Sequence, residues 1–142
     1  MNRNDALLFA LNNHIHELRA GRGARDPWCN YPFERDEHLY ISVVNHGFME
    51  RLDWGQAKPY VLTQAGRDAA RAQMLAKMRE FMATDVERGT GLRKAPVNST
   101  MFYIYEEGAR LGRCIKIETR PDDVAIFELT KLGRDFCAKE KV

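Results

Sequence analysis

The chain has 142 residues and a formal net charge of +2, and 44% of its residues are hydrophobic and 30% are charged. This balance is typical of a folded globular domain and excludes an intrinsically disordered protein. No stretch approaches the roughly 20 apolar residues of a membrane-spanning helix. The first residues lack a small-residue cleavage site, so we expect no secretory signal. The three cysteines are far apart and form no CxxC pattern; this argues against a disulfide or zinc framework and predicts a reducing, cytoplasmic location.

Hydrophobic periodicity and turn residues divide the first half of the chain into four segments. In chain order they are a helix at 4–19, a loop at 21–33, a helix at 35–46 and a hairpin at 48–62. Asn4 or Asp5 is the expected N-cap of the first helix, because either side chain can accept hydrogen bonds from the first turn. The second helix is expected to direct Leu39, Tyr40, Val43 and Val44 inward.

The second half of the chain divides into five segments. In chain order they are a long helix at 64–84, a loop at 86–97, an ambiguous segment at 99–111, a hairpin at 113–129 and a short helix at 131–140. The ambiguous segment begins with β-prone residues, although the internal repeat described next predicts a helix there. Met74, Met78 and Met82 share one stripe of the long helix, so they are expected to form core or the seam of a homodimer through residues 64–84.

One sequence motif occurs twice in the chain, once near the middle and once near the end. Residues 62–68 match residues 129–135 at five of seven positions. Each copy ends a predicted hairpin, and a glycine, Gly47 or Gly112, opens each hairpin. Ordered agreement of this kind indicates a tandem repeat. The sequence therefore predicts an α+β fold of two units, at 1–86 and 87–142, each built of helix, two-stranded hairpin and helix and joined through the long helix.

The residues of the motif each have a structural explanation. Thr63 and Thr130 are expected N-caps, since a threonine hydroxyl can accept a hydrogen bond from the first turn of the helix that follows. Gly66 and Gly133 predict a close approach of two backbones, because glycine otherwise lowers helix stability. The arginine that follows each glycine is expected to begin the solvent-exposed face.

A helix, a glycine and a hairpin that ends in Tyr-x-Leu-Thr-x-x-Gly, followed by a helix, resemble the winged-helix domains of bacterial transcription regulators. The residues that carry the resemblance are Gly47, Arg51, Leu52, Tyr60, Leu62, Thr63 and Gly66, with a weaker second copy at Gly112, Lys116, Ile117, Phe127, Leu129, Thr130 and Gly133. In that family the helix before the hairpin enters the major groove and the hairpin contacts the flanking backbone. The resemblance implies a small regulator that binds duplex DNA.

The resemblance also implies which residues contact DNA. In the first copy they are His38, Ser42, Asn45 and His46 on the helix and Arg51 and Lys58 on the wing; in the second they are Tyr103, Arg110, Arg113, Lys116 and Arg120. Arg88, Arg93 and Lys94 lie in the loop predicted between the copies, where they form either ordinary solvated surface or a basic patch that contacts phosphates.

Charge and tryptophan placement support an alternative function. Acidic residues lie in the candidate recognition helices and at the second hairpin tip, and they oppose binding to phosphates. Trp28 in the first long loop and Trp54 in the hairpin turn are candidate partner-binding residues, since tryptophan is enriched at binding hot spots. Trp54 is expected either to fold back on its hairpin or to be exposed. The alternative is a protein-interaction module, such as an adaptor or inhibitor of a phage or mobile element.

No residue pattern predicts catalysis, a metal site or a cofactor. His14 and His16 are two positions apart, so on a helix they point to different sides and cannot bind one metal ion together. No base lies beside Cys29, Cys114 or Cys137 in the sequence, so we expect these cysteines to be small buried hydrophobes. We therefore expect a non-enzyme without a cofactor.

Overall fold

The computed structural model describes residues 1–87 and 91–138, except for the side chains of residues 81 and 83–87. Within this part the protein is α+β, with five α-helices, one 3-10 turn and two small antiparallel sheets. The chain forms two compact units, Met1–Gln73 and Met74–Val142. The division falls inside the long helix, whereas the sequence repeat assigned that helix to the first copy, at 1–86. No helix in the described residues is long and apolar enough to cross a membrane.

The first unit consists of helices around a short hairpin. Its elements are α1 (Arg3–Arg19), a 3-10 turn (Glu34–Asp36), α2 (Glu37–Asn45), β1 (Met49–Arg51), β2 (Tyr60–Leu62) and the start of α3 (Gln64–Glu87). The strands are antiparallel, with Met49 opposite Leu62. The core residues that these elements share are Ala6, Ala10, Val43, Phe48, Met49, Tyr60 and Leu62. The two helices, the loop and the hairpin predicted for this half of the chain are confirmed.

Two details predicted for the first unit are wrong. The N-cap of α1 is Asn2, whose side-chain oxygen accepts a hydrogen bond from the backbone N–H of Asp5 at 2.8 Å. The helix thus begins one residue earlier than predicted, which leaves Asn4 and Asp5 inside its first turn. Leu39 is 36% exposed, because α2 turns Val43 rather than Leu39 toward the centre of the core.

The second unit contains a three-stranded antiparallel sheet, and helices precede, separate and follow its strands along the chain. Its elements after α3 are β3 (Leu92–Pro96), α4 (Thr100–Arg110), β4 (Cys114–Thr119), β5 (Val124–Leu129) and α5 (Lys131–Ala138). The strand order is β3-β5-β4, so the hairpin of β4 and β5 is extended by β3. The ambiguous segment is the helix that the repeat predicted, and Ser99 caps it by accepting a hydrogen bond from Phe102 N–H at 3.2 Å.

The loop predicted at 86–97 is wrong, because α3 continues to Glu87 and β3 occupies Leu92–Pro96. The glycines and the proline of this segment indicated a loop. However, among the described residues β3 lies at the edge of the sheet and pairs with β5 alone, and an edge strand tolerates a proline at its end. Arg93 and Lys94 therefore lie on a strand, and Arg88 lies outside the described residues.

The two copies of the motif make the same local contacts in their own units. Thr63 Oγ1 accepts a hydrogen bond from Gly66 N–H at 3.0 Å and donates one to the carbonyl of Gly47 at 2.7 Å. Thr130 makes the same two hydrogen bonds to the matching glycines at 3.2 and 2.6 Å. The prediction that both threonines cap the following helices is confirmed, and each cap also joins its helix to the glycine ahead of its hairpin.

The glycines of the motif lie where backbones meet. A Cβ atom on Gly66 would overlap the carbonyl of Phe48, and one on Gly133 would overlap the carbonyl of Arg113. A backbone carbonyl cannot swing away as a flexible side chain can. Both positions therefore require glycine for close packing, as the sequence predicted.

Buried sulfur-containing side chains account for the methionine stripe and two of the cysteines. The three methionines of the stripe are at most 1% exposed: Met74, Met78 and Met82. Of the two expected roles, core and homodimer seam, they therefore belong to the core. Cys114 and Cys137 are buried as expected. Cys29 is half-buried, because it lies in the surface loop that precedes α2.

Candidate interaction surface

The residues implied for the DNA-reading helix of the first unit lie on one face of α2. His38 and Asn45 are exposed and Ser42 is half-buried, and their spacing places all three on the same side of the helix. His46, at the end of α2, is half-buried, and its ring nitrogen Nε2 lies 3.3 Å from the carbonyl of Met1. Ile41 is 47% exposed beside them. Helix α2 contains no lysine or arginine, so this face offers no permanent positive charge for a phosphate.

The two wing cations of the first unit differ in their surroundings. The guanidinium of Arg51 lies 3.4 Å from the carboxylate of Glu37 on α2 and 5.7 Å from the ring centre of Tyr60. The Tyr60 hydroxyl donates a hydrogen bond to the same carboxylate at 2.9 Å. Burial, followed by this hydrogen bond, raises the pKa of Tyr60 above its ordinary value. Lys58 is exposed and makes no ion pair with any described residue.

The basic patch predicted from Arg93 and Lys94 is divided between the two faces of strand β3. Arg93 is half-buried, and its Nε donates a hydrogen bond to the hydroxyl of Tyr105 at 3.3 Å. Lys94 is exposed, and none of the described carboxylates pairs with it. Neighbours on a strand point to opposite faces, so the two cations do not form one continuous patch.

The wing cations of the second unit are engaged by their own unit. The ammonium of Lys116 lies 3.0 Å from a carboxylate oxygen of Glu106 on α4. The guanidinium of Arg113 lies 3.8 Å from the ring centre of Phe136. Arg79 stacks on the same ring at 3.8 Å. A phosphate would have to displace these contacts before it could use either wing cation.

The remaining cations implied for the second unit are also paired. Arg110 donates two hydrogen bonds to Glu107, at 3.0 and 2.6 Å, and Arg120 donates one to Asp122 at 2.7 Å. Tyr103, the other position implied on α4, donates its hydroxyl hydrogen bond to Asn98 at 2.8 Å. The second unit therefore neutralises most of the charge that the resemblance assigned to DNA contact.

An open groove on the first unit brings both tryptophans together. The groove has a volume of about 450 Å³, and its lining includes Arg22, Arg25, Trp28, Cys29, Tyr31 and Trp54. Trp54 is 56% exposed and Tyr31 is 63% exposed, so Trp54 takes the exposed arrangement of the two that the sequence allowed. The tryptophans were separate candidates in the sequence, one in a loop and one in a hairpin turn. The fold makes them two parts of one surface, which we call the aromatic groove.

The loop side of the aromatic groove is fixed by hydrogen bonds to the core of the unit. The backbone N–H of Trp28 lies 3.4 Å from a carboxylate oxygen of Glu17, and its ring stacks on His16 with 6.1 Å between ring centres. Two residues later, Asn30 exchanges a pair of 2.9 Å backbone hydrogen bonds with Tyr60 on β2. The loop thus behaves as a short additional strand segment, and the position of Trp28 is set before any partner binds.

The hairpin side of the groove is held by a tight turn. The backbone N–H of Trp54 donates a hydrogen bond to the carbonyl of Ala57 at 2.9 Å. Gly55 follows with a φ of +78°, and its N–H donates to the side chain of Asp53 at 3.2 Å. A positive φ is strained for residues other than glycine. The turn therefore fixes the backbone that presents the Trp54 ring.

A buried ion pair supports the loop side of the groove, and sequence reasoning missed it. Glu17 is fully buried, and Arg67 donates two hydrogen bonds to its carboxylate, at 3.1 and 2.8 Å. His14 Nδ1 lies 3.3 Å from the same carboxylate. The expectation that Arg67 is exposed is wrong, because its side chain contacts Glu17 of α1 and the residue is 5% exposed. The matching Arg134 is half-buried. One signal was available: Glu17 continues the stripe of α1 that carries the buried Ala6, Ala10 and His14.

The protonation of Glu17 follows from opposing effects. Burial by itself raises its pKa, but hydrogen bonds from His14 and Arg67 and the positive charge of Arg67 outweigh burial, so the pKa lies below its ordinary value. The carboxylate is therefore ionised at neutral pH and serves as a charged acceptor for both α3 and the loop. A charge-assisted acceptor of this kind holds its donors more strongly than a neutral one.

The described residues offer neither a metal site nor an activated thiol. They contain no group of three or more histidine, cysteine, aspartate or glutamate side chains that could hold a metal ion. Burial, followed by the nearby Glu106 and Cys137, raises the pKa of Cys114 to about 12. A thiol with that pKa stays protonated at neutral pH and is a poor nucleophile.

Comparison of the chain with protein-family models, curated proteins and solved structures gives no match. Three features of the molecule bear on its function: the aromatic groove, the paired wing cations and the exposed apolar residues of α2.

Proposed function

We propose that the protein is a non-catalytic protein-interaction module that binds its partner through the first unit. The observation that carries this proposal is the convergence of Trp28, Tyr31 and Trp54 on one open groove. Tryptophan, tyrosine and arginine dominate the energetics of protein interfaces, and all three residue types line this groove. Its two walls are held in place before binding, and a preorganised surface loses less entropy when a partner docks.

The charge distribution also favours a protein partner over duplex DNA. Arg51, Arg113 and Lys116 are each engaged by an acidic or aromatic side chain of their own unit. The candidate recognition helix α2 is preceded and begun by acidic residues, among them Glu34 and Glu37. Acidic side chains repel phosphates, whereas the exposed apolar residues of α2 suit a desolvated protein interface.

The repeated local contacts support a description of the chain as two tandem winged-helix-type units. Each unit has a helix, a glycine with positive φ, a hairpin and a threonine-capped helix. In the second unit a further strand joins the hairpin to give the order β3-β5-β4. Winged helices serve both as DNA-binding domains and as protein-interaction modules, so this fold assignment alone does not decide between the two functions.

A second candidate is a small regulator that binds duplex DNA through its wings. Lys58 and Lys94 favour it, since both are exposed and neither pairs with a carboxylate of the described residues. In this case Lys58→Ala and Lys94→Ala would weaken binding to mixed-sequence duplex and reduce its dependence on salt. Titration of the protein into labelled duplex at about 50 and 200 mM salt tests this candidate. The absence of salt-sensitive binding removes it.

The proposed function is tested by partner capture with a matched control. The immobilised protein is incubated with nuclease-treated lysate of the cells that produce it, and captured proteins are quantified by mass spectrometry. Trp54 and Leu132 are both 56% exposed, but only Trp54 lines the groove. We expect Trp54→Ala to reduce capture of the same partner at least tenfold and Leu132→Ala to leave it unchanged. Equal capture by all three proteins would contradict the proposal.

A further inference from the structure

We infer that the aromatic groove binds an acidic peptide segment of the partner, in which a carboxylate lies beside an apolar or aromatic residue. This inference rests on the proposed function and adds the chemistry of the ligand. The groove contains two kinds of recognition group, namely guanidinium groups and aromatic rings. Each kind selects one part of such a segment.

The guanidinium groups select the carboxylate. Arg22 and Arg25 line the groove together with one acidic residue, Asp26. Asp26 pairs with Arg22 at 3.1 Å, and Arg25 makes no ion pair with any described residue. The groove therefore holds one more positive than negative charge, and the charge without a partner is a guanidinium. A guanidinium binds a carboxylate through two parallel hydrogen bonds, and this geometry makes arginine selective for planar anions.

The aromatic rings select the neighbouring apolar residue. Trp28, Tyr31 and Trp54 all line the groove, and Tyr31 and Trp54 are more than half exposed. Burying such a ring against an apolar side chain gives the largest hydrophobic contribution that a single residue offers. Because the backbones of Trp28 and Trp54 are both held by hydrogen bonds, the two backbone positions that carry the rings are fixed in advance. A short peptide that spans them needs little rearrangement of the protein.

Single-stranded nucleic acid is the other class of ligand that uses aromatic rings and cations. It requires a track of positive charge that follows successive phosphates. The groove offers one arginine without an ion-pair partner, and its other arginine is bound to Asp26. A single carboxylate fits this arrangement, whereas a row of phosphates would also meet the carboxylate of Asp26.

Intrinsic tryptophan fluorescence can report ligand binding at this site. It contains two tryptophans, Trp28 and Trp54, and both line the groove. A ligand that enters the groove will change the intrinsic tryptophan emission. The single-tryptophan variants Trp28→Phe and Trp54→Phe then report on the two walls separately.

The test is a random-peptide display selection on the immobilised protein, with counter-selection on the Trp54→Ala variant. We expect enriched peptides with aspartate or glutamate next to an aromatic or aliphatic residue. As synthetic peptides they should shift the tryptophan emission with saturation. Arg25→Ala should weaken their binding about tenfold, since a hydrogen-bonded ion pair is lost. Arg35→Ala serves as control, because Arg35 is 81% exposed and pairs with Asp36 in the same unit, but does not line the groove.

The outcomes separate this inference from the proposed function. Enrichment of neutral or basic peptides, an unchanged affinity of Arg25→Ala, or no enrichment at all would overturn the acidic-peptide inference. In each case Trp54-dependent capture of a protein partner would still support the proposed function. Saturable quenching of the tryptophans by oligothymidylate, with no enriched peptide, would assign the groove to single-stranded nucleic acid and would overturn the inference as well.

Discussion

Replacement of Arg67 by alanine should be among the most destabilising substitutions in the first unit. Arg67 donates two hydrogen bonds, at 3.1 and 2.8 Å, to the carboxylate of Glu17. The side chain of Glu17 is 0% exposed and that of Arg67 is 7% exposed. Arg67→Ala would leave a buried carboxylate with His14 as its one remaining side-chain partner among the described residues. Removing one partner of a buried ion pair costs about 3–5 kcal/mol, because the other charge stays buried.

The loss should depend on pH in a direction that the geometry fixes. In the wild type the pKa of Glu17 is lowered, so its contribution to stability is present above the ordinary carboxyl pKa and is lost as the pH falls through the lowered value. In Arg67→Ala the hydrogen bonds and the positive charge of Arg67, which lower this pKa, are gone, whereas burial, which raises it, remains. The pKa of Glu17 should therefore be higher in the variant than in the wild type, so the variant loses less stability than the wild type as the pH falls. The difference between the two proteins should therefore be largest near neutral pH and should shrink toward pH 4.

Urea denaturation followed by tryptophan fluorescence measures this difference in the relevant unit, since both tryptophans lie within Met1–Gln73. The control is Arg22→Ala, because Arg22 forms a 3.1 Å ion pair with Asp26 in which both side chains are exposed to solvent. Such surface pairs contribute about 0–1 kcal/mol. If Arg67→Ala loses no more than Arg22→Ala at pH 7, or if the loss is the same at pH 4 and pH 7, the account of the buried pair is refuted.

Two further predictions concern close packing and thiol reactivity. Gly66→Ala and Gly133→Ala should each lower stability by about 1–3 kcal/mol in denaturant titrations, because overlap with a backbone carbonyl outweighs the ~1 kcal/mol gained in helix propensity; an unchanged midpoint would contradict the packing account. Iodoacetamide should modify Cys29 in the native protein much faster than Cys114, whose buried thiol has its pKa raised to about 12; peptide mass spectrometry that finds equal rates would disprove this difference in reactivity.

Local patterns in the sequence were sufficient to predict most elements of the fold. Helical periodicity defined α1 and α2, and the alternation before each Leu-Thr motif defined the two hairpins. The repeat predicted that residues 99–111 form a helix even though their composition favours a strand, and α4 is a helix. Each copy of a repeat must bury its apolar face in the same way, which explains why the comparison between copies outperformed local propensity.

The features that sequence reasoning missed depend on residues far apart in the chain. Strand β3 exists because it pairs with β5, about thirty residues later, and neither Gly91 before the strand nor Pro96 at its end indicated that partner. Glu17 and Arg67 meet across 50 residues. The aromatic groove likewise forms where the loop after α1 meets the hairpin turn, so Trp28 and Trp54 were each recognised as candidates without any sign that they share a surface.

Site-specific photocrosslinking in the producing cells decides whether the aromatic groove of the first unit binds a protein. A benzophenone side chain replaces Trp54 in one variant and Lys94 in another, so that one probe lies in the aromatic groove and the other on the exposed side of β3. We expect one dominant protein adduct from position 54 and no DNA adduct from position 94. DNA adducts from position 94, with no protein adduct from position 54, would contradict a protein-interaction function and favour a regulator that binds duplex DNA.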